Sequence, residues 1–384
     1  MKLIQTVDAE GAVLCHDITQ IIKGVTKDAV FRKGHIVRKE DIPVLLSVGK
    51  DQLYVWENEE GMLHENDAAE ILASLCMGEF MEKSQPKEGK IELKAICDGL
   101  LKVDRAGIRA INRFGQMMIA SRHGNFAVKK GDKLAGTRII PLVIEEEKMK
   151  AAQKAAAEAT GGKPIFALKP FNHKKVGIVT TGNEVYAGRI QDEFTPVIRE
   201  KLAAFDTEVI DHVIWNDDDK KVTASILSMI EQGADMVICT GGMSVDPDDR
   251  TPLAIKNTGA KIVSYGAPVL PGAMFLLAYY TVKGNDASNR EAGKAVETGA
   301  DKTAGKTKKT GTAGERETKE RTVAVMGLPG CVMYAKRTIF DLVLPRVMAD
   351  DPVTPEELAG LGEGGLCLNC PVCTFPNCGF GKGK

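Results

Sequence analysis

The sequence has few aromatic residues, almost no net charge and no long apolar run. Aromatic residues make up 5% of its 384 residues, and the formal net charge is −1. Nucleic-acid-binding proteins need a clustered basic surface and often stacking rings, so this composition argues against a nucleic-acid partner. The longest apolar stretch, residues 269–282, contains Pro271 and Gly272 and is too short to cross a bilayer. Because the first residues also lack the apolar core of a signal peptide, we expect a cytoplasmic protein without a membrane partner.

Changes in composition divide the chain into four parts. A mixed, strand-rich region covers residues 1–143. Residues 144–173 begin with helix-favouring residues and continue through two glycines and a proline, which is typical of a helical linker between domains. We expect an α/β domain at residues 174–351 and a separate small module in the glycine- and cysteine-rich tail, residues 352–384.

The α/β domain is predicted from alternating strand and helix patterns. Its strand segments are apolar without clean alternation, as in a parallel sheet covered by helices on both faces. We therefore expect a doubly wound, mostly parallel sheet that binds a ligand at the carboxyl ends of its strands. The predicted strands are Val176–Thr181, Glu208–Trp215, Asp235–Thr240, Lys261–Tyr265, Ala273–Val282 and Thr322–Met326, and the predicted helices are Thr195–Phe205, Lys220–Gln232, Thr251–Asn257 and Met333–Val347.

One segment of this domain, residues 283–321, has a composition unlike the rest. It contains no aromatic residue, and Val296 is its single branched aliphatic residue. Such a segment cannot bury enough apolar surface to offset the entropy lost on ordering. We therefore predict a disordered insertion.

Three glycine-containing turns follow predicted strands. Glycines let the backbone approach a ligand closely, exposed backbone N–H groups bind anions, and hydroxyl groups add donors. A lone Gly-Gly turn often only connects two elements, but three turns at strand ends predict an anion-binding site. The candidate binding residues are Thr181, Gly182, Asn183 and Glu184 in the first turn, Thr240, Gly241, Gly242 and Ser244 with Thr251 downstream in the second, and Leu328, Pro329 and Gly330 in the third.

Acidic residues lie beside these turns. Asp217 and Asp218 follow the second predicted strand, and Asp249 follows the Gly-Gly turn. Carboxylates beside a phosphate-binding turn suggest a hydrated Mg²⁺ ion, so these three are the candidate catalytic residues, with Glu184 nearby. The alternative is that they cap the helices that begin near Lys220 and Thr251.

The order and spacing of these motifs resemble those of a known family. The shared molybdopterin-binding domain of the MoaB, MogA and MoeA proteins is similar to the segments GIVTTGNEV, NDDD, VICTGGMSVDPDDRTPLAI, APVLPGAMF and VAVMGLPG. The amino-terminal part of MoeA-type molybdenum insertases resembles the segments GAVLCHDIT and FRKGHIVRKEDIPVLLSVGKDQLYV. The chain thus looks like a MoeA-like protein of molybdenum-cofactor biosynthesis.

The resemblance implies that a homo-oligomer binds molybdopterin or its adenylated form with Mg²⁺, and molybdate if it acts as an insertase. It also implies that Pro271 and Gly272 help to line the pterin site. Residues 269–273 contain no lysine, whereas insertases carry cations around this Pro-Gly turn, and this leaves three functions open. They are a molybdotransferase-like enzyme, a non-catalytic molybdopterin carrier or sensor, and a nucleotide pyrophosphatase, because TGGMSVDPDDRT also resembles CinA-type proteins.

The tail contains a cysteine motif. In a reducing compartment, clustered thiols are more often metal ligands than disulfides. Zinc sites usually pair their cysteines in two knuckles, whereas a C-x2-C-x2-C run resembles iron–sulfur ligation, so we expect an iron–sulfur cluster or Zn²⁺. The candidate ligands are Cys367, Cys370, Cys373 and Cys378.

Overall fold

The computed structural model describes residues 2–55, 60–282 and 320–383. Contacts within the chain divide it into two compact units, Met1–Pro170 and Phe171–Lys384. The insertion expected at residues 283–321 lies almost wholly outside the described residues, so its disorder stays a prediction. In the described ranges, no helix has the length and apolar character needed to cross a bilayer.

The first unit is a set of small antiparallel sheets packed with helices. Its strands are β1 Lys2–Gln5, β2 Ile18–Ile22, β3 Thr26–Phe31, β4 Gln52–Val55, β5 Met62–His64, β6 Met81–Lys83, β7 Lys90–Ala95, β8 Gly99–Val103, β9 Met117–Ser121, β10 Phe126–Val128, β11 Lys133–Ile139, β12 Val143–Glu145 and β13 Phe166–Pro170. Its helices are α1 Asp41–Ser47, α2 Glu65–Cys76, α3 Arg105–Asn112 and α4 Glu146–Thr160.

Helix α4 is the helix that the sequence suggested as a linker. It ends at Gly161, which adopts a left-handed conformation. Its side chains Met149, Ala152 and Ala156 are buried in the same core as α2 and the sheet β6-β7-β11-β9. Helix α4 also packs against α3. Its apolar face therefore contributes to the core of the first unit.

The second unit contains the alternating elements predicted from the sequence. Its strands are β14 Lys174–Thr181, β15 Thr207–Trp215, β16 Met236–Thr240, β17 Lys261–Tyr265, β18 Leu276–Val282 and β19 Arg321–Leu328. Its helices are α5 Asn183–Tyr186, α6 Phe194–Leu202, α7 Asp219–Glu231, α8 Thr251–Asn257, α9 Ile339–Met348 and α10 Pro355–Ala359.

These strands form one six-stranded sheet in the order β15-β14-β16-β19-β18-β17. The first four in this order run parallel, whereas β18 and β17 pair antiparallel. The expected mixed α/β class is confirmed. The register pairs Thr180 with Thr240 and Thr240 with Leu328, so β14, β16 and β19 end at the same edge of the sheet. This edge carries all three glycine turns.

Both faces of the central strands are buried. Val179, Val237 and Val325 belong to a core that includes residues of α7 and α8. The alternate side chains, such as Ile178 and Ile238, are also fully buried, and α6 packs against β14. Burial on both faces explains why the strand segments in the sequence are continuously apolar.

The last helix of the domain begins later than the sequence predicted. We expected it from Met333, directly after the Leu-Pro-Gly turn. Instead, a single 3-10 turn covers Gly330–Met333, and α9 begins at Ile339. Thr338 and Asp341 form a capping box that sets this start. The carboxylate of Asp341 accepts a hydrogen bond from the backbone N–H of Thr338, and the hydroxyl of Thr338 accepts one from the backbone N–H of Phe340.

The tail is packed onto the second unit. The backbone of Leu270 donates to Gly365 O at 2.8 Å, and Cys367 N donates back to Leu270 O at 2.7 Å. Further along, Gly381 packs against the side chain of Leu342 in α9. The segment 365–381 is therefore held against the domain at two separate places.

Glu65, at the start of α2, generates a prediction about pH and stability. Its side chain is only 8% exposed, and burial raises its pKa from 4.5 to about 7. Since the folded state holds this proton more tightly than the unfolded state, stability falls as the pH rises from about 4.5 to 7. We expect Glu65→Gln to raise the unfolding free energy at pH 8 by up to roughly 3 kcal/mol, and to change it little at pH 4. Thermal unfolding at both pH values measures this, with the exposed Glu82→Gln as control; an equal effect of Glu65→Gln at both would contradict it.

Candidate functional site

The three glycine turns open into one cleft with two adjoining lobes. The acidic lobe has a volume of about 560 Å³ and lies between the first two turns. The apolar lobe has a volume of about 460 Å³ and lies between the second and third turns. Both lobes are lined by Phe194, Gly241, Gly242, Asp249 and Met333.

The Gly-Gly turn at the centre of the cleft is packed too tightly for any side chain. A Cβ atom on Gly241 would lie 2.0 Å from Thr181 O, and its φ is +80°. A Cβ on Gly242 would lie 2.9 Å from Thr251 Oγ1. The hydroxyls of Thr181 and Thr251 are hydrogen-bonded to each other at 3.1 Å. Thr251 therefore supports the turn from behind, whereas Thr181 supports it and also lines the acidic lobe.

Carboxylates dominate the acidic lobe. Among the described residues that line it there is no lysine or arginine, and the acidic ones are Glu184, Asp192, Glu193, Asp217, Asp246, Asp248 and Asp249. Asp217 accepts a hydrogen bond from the backbone N–H of Asn183 at 3.2 Å. Burial raises the pKa of Asp217, and the charges of Glu184, Asp248 and Asp249 raise it further. An excess of negative charge in one lobe favours binding of a cation.

The lobe does not hold a metal ion by its own side chains alone. In the parts of the chain that the structure describes, no three Asp, Glu, His or Cys side chains are grouped closely enough to do so. Mg²⁺ in proteins often has one or two carboxylate ligands, and substrate phosphate and water complete its octahedral shell. The lobe fits this mode of binding better than a closed cage of protein ligands.

The three candidate catalytic aspartates have different positions in the structure. Asp218 caps α7, because its Oδ1 accepts from Lys220 N at 3.0 Å and Lys221 N at 3.2 Å. Asp249 accepts from Asp246 N at 3.0 Å and lines both lobes, while α8 has no side-chain cap. Asp217 and Asp249 therefore face the cleft, and Asp218 does not line it.

The apolar lobe combines flat apolar walls with polar backbone. Its lining includes Phe194 and Tyr334 as rings, together with the methionines at 243, 274 and 333. Ser244, Pro329 and Gly330, all predicted from the sequence, also line it. A planar heteroaromatic ring fits such a surface, since apolar walls with a few polar groups are typical of ligand pockets.

Several residues predicted to bind ligand lie elsewhere. Thr240 and Leu328 are fully buried at the ends of their strands. Pro271 lines a cavity next to the tail, and Gly272 packs against Ile339 at the start of α9. The adjacent residues Ala273 and Met274 line the apolar lobe in their place.

A buried polar cluster beside the acidic lobe was not predicted from the sequence. Thr195 Oγ1 donates to Asp192 Oδ2 at 2.5 Å and contacts His212 Nε2 at 3.0 Å, and Thr180 Oγ1 lies 3.2 Å from both Thr195 Oγ1 and His212 Nε2. Burial opposes the charge on Asp192, but hydrogen bonds from Thr195 and Phe194 lower its pKa below the ordinary value. Burial lowers the pKa of His212. The cluster fixes the wall formed by residues 190–194; its sequence signal is the Asp-x-x-Thr spacing of a helix cap.

All four cysteines of the tail line a single cavity of about 470 Å³. The cavity is also lined by Tyr334, Lys336 and Arg337, which precede α9. The pKa of Cys373 is lowered by a backbone hydrogen bond from Phe375 and by the neighbouring Arg337. The four cysteines that the sequence singled out thus line one cavity, although among the described residues no three Cys, His, Asp or Glu side chains are grouped closely enough to hold a metal ion.

Comparison with known proteins identifies the domain that carries the cleft. Residues 177–349 match a family model described as a probable molybdopterin binding domain, and residues 3–57 match a domain of unknown function (DUF8806). The segment that carries the cleft therefore matches a family of molybdopterin-binding domains, which confirms the resemblance predicted from the motifs.

The curated relatives match over a short stretch. A CinA-like protein of Mycobacterium tuberculosis is 36% identical over 77 residues, which are 20% of this chain and 18% of the relative. A CinA-like protein of Mycobacterium marinum is 35% identical over 77 residues, with the same coverage. The chain thus spans less than a fifth of the length of these relatives.

Solved structures with a similar domain are more distant. A putative molybdenum cofactor biosynthesis protein from Corynebacterium diphtheriae is 14% identical with a TM-score of 0.30, covering 46% of this chain and 97% of that one. The molybdopterin biosynthesis enzyme MoaB from Thermus thermophilus is 19% identical with a TM-score of 0.30, covering 47% and 98%. The tungsten cofactor synthesizing protein MoaB from Pyrococcus furiosus is 21% identical with a TM-score of 0.26, covering 47% and 89%.

The packing of Gly241 generates a second prediction. We expect Gly241→Ala to destabilise the second unit by about 1–3 kcal/mol, because the new Cβ would overlap Thr181 O and would need a left-handed backbone. Gly188→Ala is the matched control, since Gly188 also has a positive φ but open space around its Cα. Thermal unfolding of both variants measures the difference, and an equal loss of stability would show that the close approach to Thr181 is unimportant.

Proposed function

We propose that the two-lobed cleft binds molybdopterin, or its adenylated form, together with Mg²⁺ in molybdenum-cofactor biosynthesis. The observation that carries this proposal is the juxtaposition of two different lobes at the Gly241–Gly242 turn. One lobe is rich in carboxylates, and the other has apolar and aromatic walls. A pterin with a phosphate group has two matching parts a short distance apart. Its planar ring would lie in the apolar lobe, and its phosphate would lie with Mg²⁺ in the acidic lobe.

The phosphate end of the ligand requires a counter-charge. The residues that line the acidic lobe supply carboxylates and no cationic side chain, so a phosphate entering alone would be repelled. Asp217, Asp249 and Glu184 are the residues that would hold Mg²⁺ there. The ion would neutralise the phosphate charge and orient its oxygens, while backbone N–H groups of the glycine turns would bind the remaining oxygens.

The pterin end fits the apolar lobe. Phe194 and Tyr334 offer rings for contact with a planar bicyclic system, and the methionine side chains adapt to its shape. Ser244 supplies a hydroxyl at the same wall. The lobe therefore supports recognition of the ring, and the Gly-Gly turn lies between the ring and the phosphate.

A carrier or sensor role is the second candidate. It is favoured by the shortage of positive charge, because an insertase stabilises molybdate or a phosphate leaving group with cations. The sequence has none at residues 269–273, and none lines the described part of the cleft. A nucleotide pyrophosphatase is the third candidate, suggested by the partial match to CinA-like proteins.

Asp249 provides the direct test of binding. We expect Asp249→Asn to weaken molybdopterin binding by about tenfold or more in the presence of Mg²⁺, because a carboxylate facing both lobes is lost. The protein is purified anaerobically, incubated with molybdopterin and either Mg²⁺ or EDTA, and washed. The retained pterin is then released, oxidised and measured by its fluorescence.

The matched control is Glu208→Gln, which removes a carboxylate from the opposite end of the same sheet, on β15. It should retain as much pterin as the unchanged protein. Equal retention by Asp249→Asn, or retention that EDTA does not reduce, would overturn the proposed Mg²⁺ site.

With binding established, turnover of the adenylated pterin favours the enzyme, binding without turnover favours the carrier, and hydrolysis of ADP-ribose favours the pyrophosphatase.

Asp217 should show opposite effects on stability and binding. Its raised pKa means that the folded state disfavours the ionised carboxylate, so it destabilises the protein increasingly as the pH rises above 3.8. Asp217→Asn keeps an acceptor for the N–H of Asn183 and removes the charge. We expect a higher Tm without ligand at pH 7, by roughly 2 °C, together with weaker Mg²⁺-dependent pterin binding. A lower Tm would contradict the electrostatic reason.

A further inference from the structure

We propose that the tail binds an iron–sulfur cluster through four thiolates, those of Cys367, Cys370, Cys373 and Cys378. The site is separate from the carboxylates and glycine turns of the cleft. The proposal therefore does not depend on molybdopterin binding.

The spacing of the cysteines favours a cluster over a single ion. Zinc sites usually carry their cysteines in two separate pairs, whereas Cys367, Cys370 and Cys373 form a C-x2-C-x2-C run that resembles iron–sulfur ligation. These three cysteines and Cys378 line one cavity of about 470 Å³. Iron–sulfur clusters are commonly held by four cysteines, so the donor set of this cavity fits such a group.

The loop that carries the cysteines is held in place by polar and aromatic contacts. Lys336 Nζ donates to Pro371 O at 2.9 Å, between the second and third cysteines. The guanidinium of Arg337 lies 4.9 Å from the ring centre of Phe375, and the rings of Phe375 and Phe380 are 6.1 Å apart. These contacts fix the loop and place two aromatic rings in the wall of the cavity.

The charges around the cavity complement a cluster. Four thiolates with iron and sulfide carry net negative charge, and Lys336 and Arg337 both line the cavity. The buried Nε of Arg337 has no hydrogen-bond acceptor among the described residues. Hydrogen bonds to cluster or cysteine sulfurs are a common way for a protein to stabilise and tune such a group. Each coordinated thiol loses its proton to solvent as its Fe–S bond forms.

The cavity also adjoins the two-lobed cleft. Tyr334 lines both the cysteine cavity and the apolar lobe. The tail backbone pairs with Leu270, and the next residue, Pro271, lines the cysteine cavity. A cluster at this place would fix the segment from Tyr334 to Arg337, whose first residue lines the apolar lobe.

Metal analysis of the full chain tests the proposal. The protein is purified anaerobically and reconstituted with iron and sulfide. We expect bound iron and acid-labile sulfide in equal amounts, with a broad visible absorption band. Cys370→Ser and Cys373→Ser should each reduce bound iron by about tenfold or more. Both residues are exposed, so unchanged thermal unfolding of the apo variants should show that the fold is kept.

Cys97→Ser is the matched control, because Cys97 is a free cysteine of the first unit. This variant should retain the cluster and its absorption. Bound zinc without sulfide would overturn the cluster, as would the absence of bound iron. Iron retained at the full level by both tail variants would overturn the assignment of these cysteines as ligands.

Discussion

The close approach of two strand ends is the constraint on which the cleft depends. The carbonyl of Thr181 at the end of β14 lies so near Gly241 that only a hydrogen atom fits between them. This contact brings the first and second turns together, and the bond between Thr181 and Thr251 holds the following helix behind them. Backbone N–H groups can then lie at the cleft surface, because no side chain covers the turn. The two threonines thus fix the position of the glycine backbone at the surface of the cleft.

Repulsion between carboxylates in the acidic lobe acts against the stability of the fold. Asp217 is partly buried and lies among the charges of Glu184, Asp248 and Asp249, all of which raise its pKa. Nearby, Asp192 is held ionised by hydrogen bonds from Thr195 and Phe194. The fold therefore holds carboxylates close together even though their negative charges repel each other. A cation bound in the lobe would reduce this repulsion and so raise the free energy of unfolding.

Much of the second unit could be predicted from local patterns, whereas the packing of its site could not. The strands of the sheet were predicted to within a few residues, because burial on both faces makes them continuously apolar. The three turns were found because glycines follow those strands. The late start of α9 at Ile339 was missed, since it depends on a capping box after an irregular segment. The position of Pro271 in the wall of the cysteine cavity was not predicted, because its neighbour Leu270 pairs with the tail, a contact distant in sequence. The polar cluster around His212 was missed for the same reason.

Tyr334 connects the two sites that the sequence suggested separately. It follows the 3-10 turn after β19 and is mostly exposed, yet it lines both the apolar lobe and the cysteine cavity. The next residues, Lys336 and Arg337, contact the tail loop, and Arg337 also bonds Asp341 in the cap of α9. The segment from Tyr334 to Arg337 therefore joins the wall of the apolar lobe to the tail loop, and Arg337 attaches it to the start of α9.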